Sequence, residues 1–450
     1  MREPVRVTID RLDADGVGSG LDARGRRWTI RGGVPGSTVL AGGRVKHGAL
    51  LDVVEPPGDA TPPRCPLVGT CGGCLYQSLP AARQREEKLA ALQALLAPLS
   101  PGGTIVGADR SYGYRNKIEL SFGTSRYLSR AEIVANVPPE SGRFLGFHGA
   151  GRFDRVVDVP ECALASPAIN AVLERVRRDT LGSPFDAYDA RSHQGFWRHL
   201  VLREGLDGVL VLLYTALAGE DQAAWIARHA GDWGAAGVLW YTTGSHADAA
   251  VGELRAVVHG VDRLSVRAGG APLSLSPTAF FQVNDTGAAV LLEVIRGALG
   301  EGGTLLDLYA GVGALGLSLA DRFDEVLGVE LNAEAVAEAN RNAGALGLPE
   351  RYLAGKAESL LPDLLRTAGR PLRVLVDPPR GGLHPGAMAP LLDLDADVLV
   401  YVACRPTSLA RDGAALAAHG WRCQGWTAVD LFPHTAHVEV VASFVRERTG

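Results

Sequence analysis

The feature that most constrains the fold is a regular alternation of apolar strand-like runs and helix-like segments, which begins at about residue 275. Four of these apolar runs cover residues 304–308, 325–329, 372–376 and 398–403. Strands that alternate with helices predict a mainly parallel sheet covered by helices. Two last apolar runs, 426–431 and 438–444, have no helix between them, which predicts a terminal hairpin.

The first part of the chain has a different pattern. Residues 4–56 contain short segments of alternating polarity, separated by glycines and polar breaks, and this predicts a small β-barrel. Paired prolines at 56–57 and 62–63 mark a linker, and residues 80–96 carry leucines at helical spacing. A chain of 450 residues is too long for one ordinary core, so several domains are expected.

The composition is that of a globular protein, with 46% hydrophobic and 21% charged residues. No apolar run is long enough to span a bilayer, and the N-terminus lacks the apolar core of a signal peptide. We therefore expect a cytoplasmic protein without membrane contact. The net charge is −5, so any contact with nucleic acid must come from local basic patches.

Residues 304–316 combine a predicted strand, a glycine-rich turn and a helix start. Gly311 and Gly313 would let the backbone approach a ligand closely, and Glu330 follows at the position where an acidic residue accepts the ribose hydroxyls of a nucleotide. Both a nicotinamide dinucleotide and S-adenosylmethionine fit this motif. The lack of the G-x-G-x-x-G register favours S-adenosylmethionine, as does Asp307, which would lie near the cationic end of that cofactor.

Three polar residues are predicted to meet at one edge of the parallel sheet. Asp307, Asp377 and Cys404 each lie at the carboxyl end of a predicted strand, where such sheets bind their ligands. Glu439 lies inside an apolar strand instead. Its carboxylate is either exposed by alternation or buried with a raised pKa.

A thiolate, a carboxylate and a methyl donor together fit methylation at C5 of a uracil. Addition of a thiolate at C6 makes C5 nucleophilic, C5 takes the methyl group, and a base then removes the C5 proton so that the thiolate can leave. This chemistry predicts Cys404 as the nucleophile and Glu439 as the base. A buried structural thiol is the alternative interpretation of Cys404.

Three other cysteines, Cys65, Cys71 and Cys74, have the spacing C-x5-C-x2-C. Disulfides are uncommon in the cytoplasm, so this cluster predicts a metal site. Cys162 is the one remaining cysteine outside the C-terminal domain, and it is the candidate for the fourth ligand. Four thiolates suit either zinc or a [4Fe–4S] cluster.

Taken together, these motifs resemble those of the RNA 5-methyluridine (uracil-C5) methyltransferases, in particular the iron–sulfur-containing branch that acts on 23S ribosomal RNA. The resemblance covers nearly the whole chain. Its most specific motifs are CRPTSLARD at 404–412, which holds the nucleophile, and FPHTAHVE at 432–439, which holds the base. The cysteine spacing, DVPEC at 158–162 and SPTAFFQVN at 276–284 match as well.

The resemblance implies a multi-domain α/β protein. Residues 1–60 would form an OB-like, RNA-binding TRAM barrel, and residues 61–265 a central α+β domain with a [4Fe–4S] cluster. Residues 266–450 would form a class I, Rossmann-like methyltransferase domain that uses S-adenosylmethionine. The resemblance also implies cofactor contacts from Gln282, Tyr309, Ala314, Glu330 and Asp377.

The expected partner is RNA, with ribosomal RNA favoured over tRNA, and we expect the protein to be a monomer. Arg405 stands where the family often has asparagine, and Ala314 where it often has a polar residue. A tRNA uracil-C5 methyltransferase and a non-catalytic RNA-binding or assembly factor are the alternative functions. Aromatic and basic residues at 112–117 and 196–200 suit either stacking on RNA bases or an ordinary place in the core.

Overall fold

The computed structural model of the chain describes residues 3–149 and 152–446. Residues 1–2, 150–151 and 447–450, which belong to the first, central and last predicted domains, lie outside the described residues. The described strands form a closed barrel, two large sheets and one small two-stranded sheet. Within the described ranges, no helix is long and apolar enough to cross a membrane.

The first five strands close into a small barrel, as their alternating sequence predicts. They are β1 (Val5–Leu12), β2 (Gly18–Asp22), β3 (Arg27–Ile30), β4 (Thr38–Arg44) and β5 (His47–Glu55), paired in the order β1-β2-β3-β5-β4. Alternate side chains point inward and form an apolar core of Val7, Ile9, Trp28, Ile30, Val39 and Ala41. The barrel core is therefore separate from the cores that follow.

The middle of the chain forms a seven-stranded sheet with helices packed against it. Before it come α1 (Ala81–Leu96) and β6 (Thr104–Val106). The sheet contains β7 (Lys117–Ser125), β8 (Ser141–His148), β9 (Val156–Asp158), β10 (Trp197–Gly205), β11 (Gly208–Thr215), β12 (Gly237–Thr242) and β13 (Glu253–Gly260). Its strand order is β13-β12-β11-β10-β7-β8-β9. The helices are α2 (Arg130–Val134), α3 (Pro167–Leu181) and α4 (Glu220–His229).

The aromatic and basic segment at 196–200 belongs to the core of this sheet. Both faces of strand β10 are covered, because Leu200 and Leu202 pack in one apolar core and Val201 packs in another. Trp197 is fully buried, and Arg198 and His199 are buried beside it. A role of this segment in stacking on RNA bases, one of its two interpretations, is therefore wrong.

A small hairpin, β14 (Leu264–Ala268) with β15 (Ala271–Leu275), leads into the C-terminal sheet. The strands of that sheet are β16 (Thr304–Leu308), β17 (Glu325–Glu330), β18 (Tyr352–Ala354), β19 (Leu372–Val376), β20 (Val398–Ala403), β21 (Trp421–Val429) and β22 (Glu439–Arg446). Its helices are α5 (Asp285–Leu299), α6 (Ala314–Leu319), α7 (Ala333–Ala345), α8 (Ala357–Thr367), α9 (Pro385–Leu392) and α10 (Pro406–Ala417).

The strand order of this sheet is β18-β17-β16-β19-β20-β22-β21-β6. The five neighbouring strands β18, β17, β16, β19 and β20 are all parallel, as the alternation of strands and helices predicts. Strand β22 is antiparallel to both β20 and β21, so the predicted terminal hairpin is present. Strand β22 enters the sheet between them, next to β20, which Cys404 directly follows.

The predicted boundary at residue 61 differs from the packing at one point. Strand β6 pairs in parallel with β21, and Leu92 and Leu96 of α1 are buried in the core of the C-terminal sheet. This segment therefore packs with the C-terminal sheet, although the sequence predicts that it lies in the central domain. The physical reason is that the apolar face of α1 is buried against the core of that sheet.

Candidate active site

The carboxyl ends of three neighbouring parallel strands form one edge of the C-terminal sheet. Strands β16, β19 and β20 lie side by side in register, so the residues at their ends lie close together. Asp307 is the last residue but one of β16, and Asp377 and Cys404 directly follow β19 and β20. The structure thus brings these three predicted residues to the same edge.

Glu439 reaches this edge from the antiparallel strand. The register of β20 and β22 pairs Ala403 with Val440, so the next residues, Cys404 and Glu439, lie opposite each other. Glu439 is buried, with 4% of its surface exposed. Both faces of β22 are covered here, which settles the ambiguity left by the alternating sequence.

The acidic groups of this edge share a poorly solvated environment. The pKa of Cys404 is raised to about 11, mainly by burial and then by the charges of Glu439 and Asp377. Burial and the charge of Asp377 also raise the pKa of Glu439 well above its usual value, and burial raises the pKa of Asp377 to about 7. A carboxylate with a raised pKa is a stronger base than one in water, which suits proton abstraction near neutral pH.

Two arginines provide positive charge at the same edge. The guanidinium of Arg380 lowers the pKa of both Cys404 and Glu439, although burial has the larger effect on each. Arg380 therefore stabilises the charged forms that a nucleophile and a base need. Arg405 is exposed, and its Nη2 lies 3.7 Å from Asp15 Oδ1, in the turn between β1 and β2 of the barrel. Arg405, which stands where the resembling family often has asparagine, thus contacts the barrel.

The glycine-rich turn between β16 and α6 has the conformation that its sequence predicts. Gly311 and Gly313 have positive φ angles of 54° and 76°, which favour glycine. A side chain at Gly311 would meet no atom within 4 Å, so the turn is open to a ligand there. Glu330 at the end of β17 accepts a hydrogen bond from the Gly311 amide over 3.1 Å, which holds the carboxylate beside the turn.

Two pockets lie on either side of this turn. The first has a volume of about 320 Å³ and is lined by Tyr309, Glu330, Lys356, Ala357 and His384, among others. Tyr309 has an unusual positive φ of 62° for a residue with a side chain, and strain of this kind tends to occur at functional sites. The first pocket therefore contains two of the predicted cofactor residues.

The second pocket has a volume of about 290 Å³ and is lined by Gln282 and Ala314 together with residues of α5 and the β14–β15 hairpin. Asp307 lines neither pocket. It is fully buried, and its Oδ2 accepts a hydrogen bond from the Gly316 amide over 3.1 Å. This hydrogen bond joins α6 to β16, so Asp307 stabilises the glycine-rich turn between them.

Four cysteines, Cys65, Cys71, Cys74 and Cys162, line a separate small pocket of about 30 Å³ together with apolar neighbours. All four are free thiols. Burial, and then the neighbouring thiols, raise the pKa of Cys74 to about 11. Among the described residues, no three His, Cys, Asp or Glu side chains are arranged to hold a single metal ion. The thiols thus share a pocket without surrounding one ion.

Sequence reasoning missed some residues of this site. A signal for Arg380 was present, because it ends the DPPR motif that Asp377 begins. Lys356 and His384 line the first pocket from two different loops, and no local pattern predicts this. Leu331, which directly follows Glu330, also lines that pocket, although 69% of its surface is exposed.

Comparison with known proteins is consistent with this arrangement. Residues 277–364 match the methyltransferase small domain family. The chain is 31% identical to an uncharacterized RNA methyltransferase of Caldanaerobacter subterraneus subsp. tengcongensis, and the alignment covers 98% of each chain. An uncharacterized RNA methyltransferase of Gloeobacter violaceus is also 31% identical, over 99% of this chain and 97% of that protein.

One solved structure resembles the whole chain. It is the tRNA (uracil-54, C5)-methyltransferase of Pyrococcus abyssi in complex with S-adenosyl-L-homocysteine, with a TM-score of 0.78 and 25% identity. The match covers 98% of this chain and 99% of that one. The C-terminal sheet with its glycine-rich turn therefore has a methyltransferase fold. The chain as a whole belongs to the RNA methyltransferase family.

Proposed function

We propose that this protein transfers a methyl group from S-adenosylmethionine to C5 of a uridine in RNA, with 23S ribosomal RNA as the favoured substrate. The observation that carries the proposal is the position of Cys404 directly opposite Glu439, at the strand edge that also carries the glycine-rich turn. The matching tRNA uracil methyltransferase of Pyrococcus abyssi supports the same chemistry and keeps tRNA as the second candidate substrate.

In the proposed reaction, the Cys404 thiolate forms a bond to C6 of the uracil, and the C5=C6 electrons move into an enolate. C5 then attacks the methyl group, and S-adenosylhomocysteine leaves. The Glu439 carboxylate removes the C5 proton, and the C6–S bond breaks to restore the double bond and the thiolate. The target base must leave its stack to reach Cys404. Arg380 favours the charged forms of Cys404 and Glu439.

Nucleoside analysis tests this function. The protein is incubated with isotopically labelled S-adenosylmethionine and either unmodified 23S ribosomal RNA or unmodified tRNA, and the digested nucleosides are identified by mass spectrometry. Labelled 5-methyluridine is expected, chiefly from the ribosomal RNA. Label in another nucleoside would contradict the uracil-C5 chemistry, and no label in any RNA would favour a non-catalytic RNA-binding factor.

The proposed cofactor site makes Glu330 the ribose ligand. Glu330→Gln is expected to weaken the binding of S-adenosylhomocysteine about tenfold or more, because a hydrogen bond to a charged group contributes about 1.5–3 kcal/mol. Titration calorimetry measures this change. Glu334→Gln, on the exposed first turn of α7, is the matched control. Equal affinities of wild type and Glu330→Gln would contradict the assignment.

We further propose that Cys65, Cys71, Cys74 and Cys162 hold a [4Fe–4S] cluster. Their shared pocket has four soft ligands, which fit such a cluster. Each thiolate of a cluster binds a different iron, so the ligands stand farther apart than around one zinc ion.

Anaerobically purified protein is therefore expected to contain about four irons and an equal amount of sulfide. Cys71→Ser should lose most of the iron, because it removes one of four ligands. Cys423→Ser should keep the iron, since Cys423 lies on β21, outside the cysteine pocket. Iron and sulfide analysis measures both variants. One zinc per chain without sulfide would contradict the cluster.

Finally, we propose that the barrel of residues 1–60 is a TRAM-like RNA-binding domain. It exposes Arg11, Arg24 and Arg31 to solvent, and arginine suits contacts with phosphate. Its β1–β2 turn lies beside the active site, because Asp15 of that turn is 3.7 Å from Arg405, the residue that follows Cys404. Residues 61–265, apart from α1 and β6, would form the central domain, and residues 266–450 together with α1 and β6 would form the methyltransferase domain.

A further inference from the structure

The loop of residues 430–438 joins β21 to β22 and ends directly at Glu439. The segment of residues 75–88, which follows Cys74 and includes the first half of α1, packs against this loop. We propose that this segment positions Glu439 for proton abstraction, with Lys88 and Gln84 as the positioning residues. This inference rests on the proposed function, because it takes Glu439 to be the base.

Lys88 binds the loop with its whole ammonium group. Its Nζ lies 2.7 Å from Asp430 Oδ1 and donates to the carbonyls of Phe432 over 3.4 Å and of His437 over 3.1 Å. An ammonium group has three N–H donors, so each has an acceptor near the start, middle or end of the loop. Lys88 and Asp430 are both buried, with 3% and 2% of their surfaces exposed.

Gln84 binds the middle of the same loop. Its Oε1 accepts the amide N–H of His434 over 2.8 Å, and its Nε2 lies 3.0 Å from His434 Nδ1. The carbonyl of His434 accepts hydrogen bonds from the amides of Leu75 and Tyr76 over 2.8 Å and 3.1 Å. His434 has a positive φ of 67°, an unfavourable conformation for a residue with a side chain. These contacts hold the loop in that conformation.

Stability alone does not account for a buried pair such as Lys88 and Asp430. Replacing a buried ion pair with neutral side chains is often neutral or stabilising, because burying two charges is costly. What the pair adds is a fixed geometry for the loop. Lys88 holds the carbonyl of His437, two residues before Glu439. A displacement of about 1 Å at a reacting group can cost about 10²-fold in rate.

The test uses the full-length protein with RNA that contains the ordinary target uridine. The double variant K88M/D430N removes the ion pair without leaving a lone buried charge. In this variant, Cys404 should still add to C6 of the uracil and the methyl group should still be transferred. Removal of the C5 proton should be slow. We expect methylated RNA covalently bound to the protein to accumulate, while kcat falls about 10²-fold and KM for RNA stays unchanged.

Two further variants complete the test. Gln84→Met changes no charge and should give the same accumulation of adduct, so the result does not depend on the folding of the double variant. Glu86→Gln, on the exposed face of α1, is the matched control and should behave like wild type. An impaired variant with a raised KM and no adduct would point to a merely structural role and overturn the inference.

The outcome separates this inference from the proposed function. If wild type forms 5-methyluridine and both positioning variants turn over at the wild-type rate without adduct, the positioning role is wrong and the function stands. If wild type methylates no uridine, the proposed function itself is wrong.

Discussion

Replacing Glu439 by glutamine is expected to stop the reaction after methyl transfer, which leaves the RNA bonded to Cys404. The amide cannot accept the C5 proton, so the C6–S bond cannot break. Turnover should fall by about 10²–10⁴-fold, the usual contribution of a general base. The fold should tolerate the change, because glutamine has nearly the shape of glutamate, and burial, which raises the pKa of Glu439 well above its usual value, makes a charge costly there.

A denaturing gel with labelled RNA measures this effect directly. RNA that contains ordinary uridine should migrate with the Glu439→Gln protein and carry a methyl group from S-adenosylmethionine. The exposed Glu301 offers a matched control, and Glu301→Gln should release its product as wild type does. Normal turnover by Glu439→Gln, with no slow-migrating band, would show that another group removes the proton.

Cys404→Ala is expected to abolish methylation of RNA, with a loss of at least about 10⁴-fold, since removal of a covalent nucleophile commonly costs this much or more. Without addition at C6, C5 of the uracil is too poor a nucleophile to take the methyl group. Binding of S-adenosylhomocysteine should stay within about twofold of wild type, because Cys404 lines neither pocket beside the glycine-rich turn.

A radiometric methyl-transfer assay and titration calorimetry give these two values. Cys423→Ala is the matched control, because that thiol lies on β21 and has no part in the proposed chemistry. Methylation by Cys404→Ala at a rate within tenfold of wild type would contradict covalent catalysis.

The edge with Asp377 and Cys404 could be predicted because its signals are local. Each residue follows a short, valine-rich apolar run that predicts a buried strand, and parallel strands bring their carboxyl ends together. The position of Glu439 could not be predicted in this way. An alternating pattern assigns a residue to one face of a strand, but both faces of β22 are covered, because Val440 and Ala442 pack in one apolar core and Val441 packs in another beneath α5.

The contacts of α1 were also beyond the sequence. Lys88 and Gln84 stand in the strongly polar segment RQREEK and look like solvated helix residues. They are buried because a loop more than 300 residues later in the chain packs on them. Strand β6 has only three residues, and its partner β21 is equally remote. Burial that depends on such distant partners leaves no periodic signal in the local sequence.

Trapping with 5-fluorouridine-substituted RNA tests the central claim most directly. With fluorine at C5 there is no proton for the base to remove, so the C6–S bond cannot break. The wild-type protein should therefore stop with methylated RNA bonded to its cysteine. Peptide mapping by mass spectrometry should place that bond at Cys404, and Cys404→Ala should form no adduct. An adduct at any other residue, or an adduct that persists in Cys404→Ala, would contradict the account.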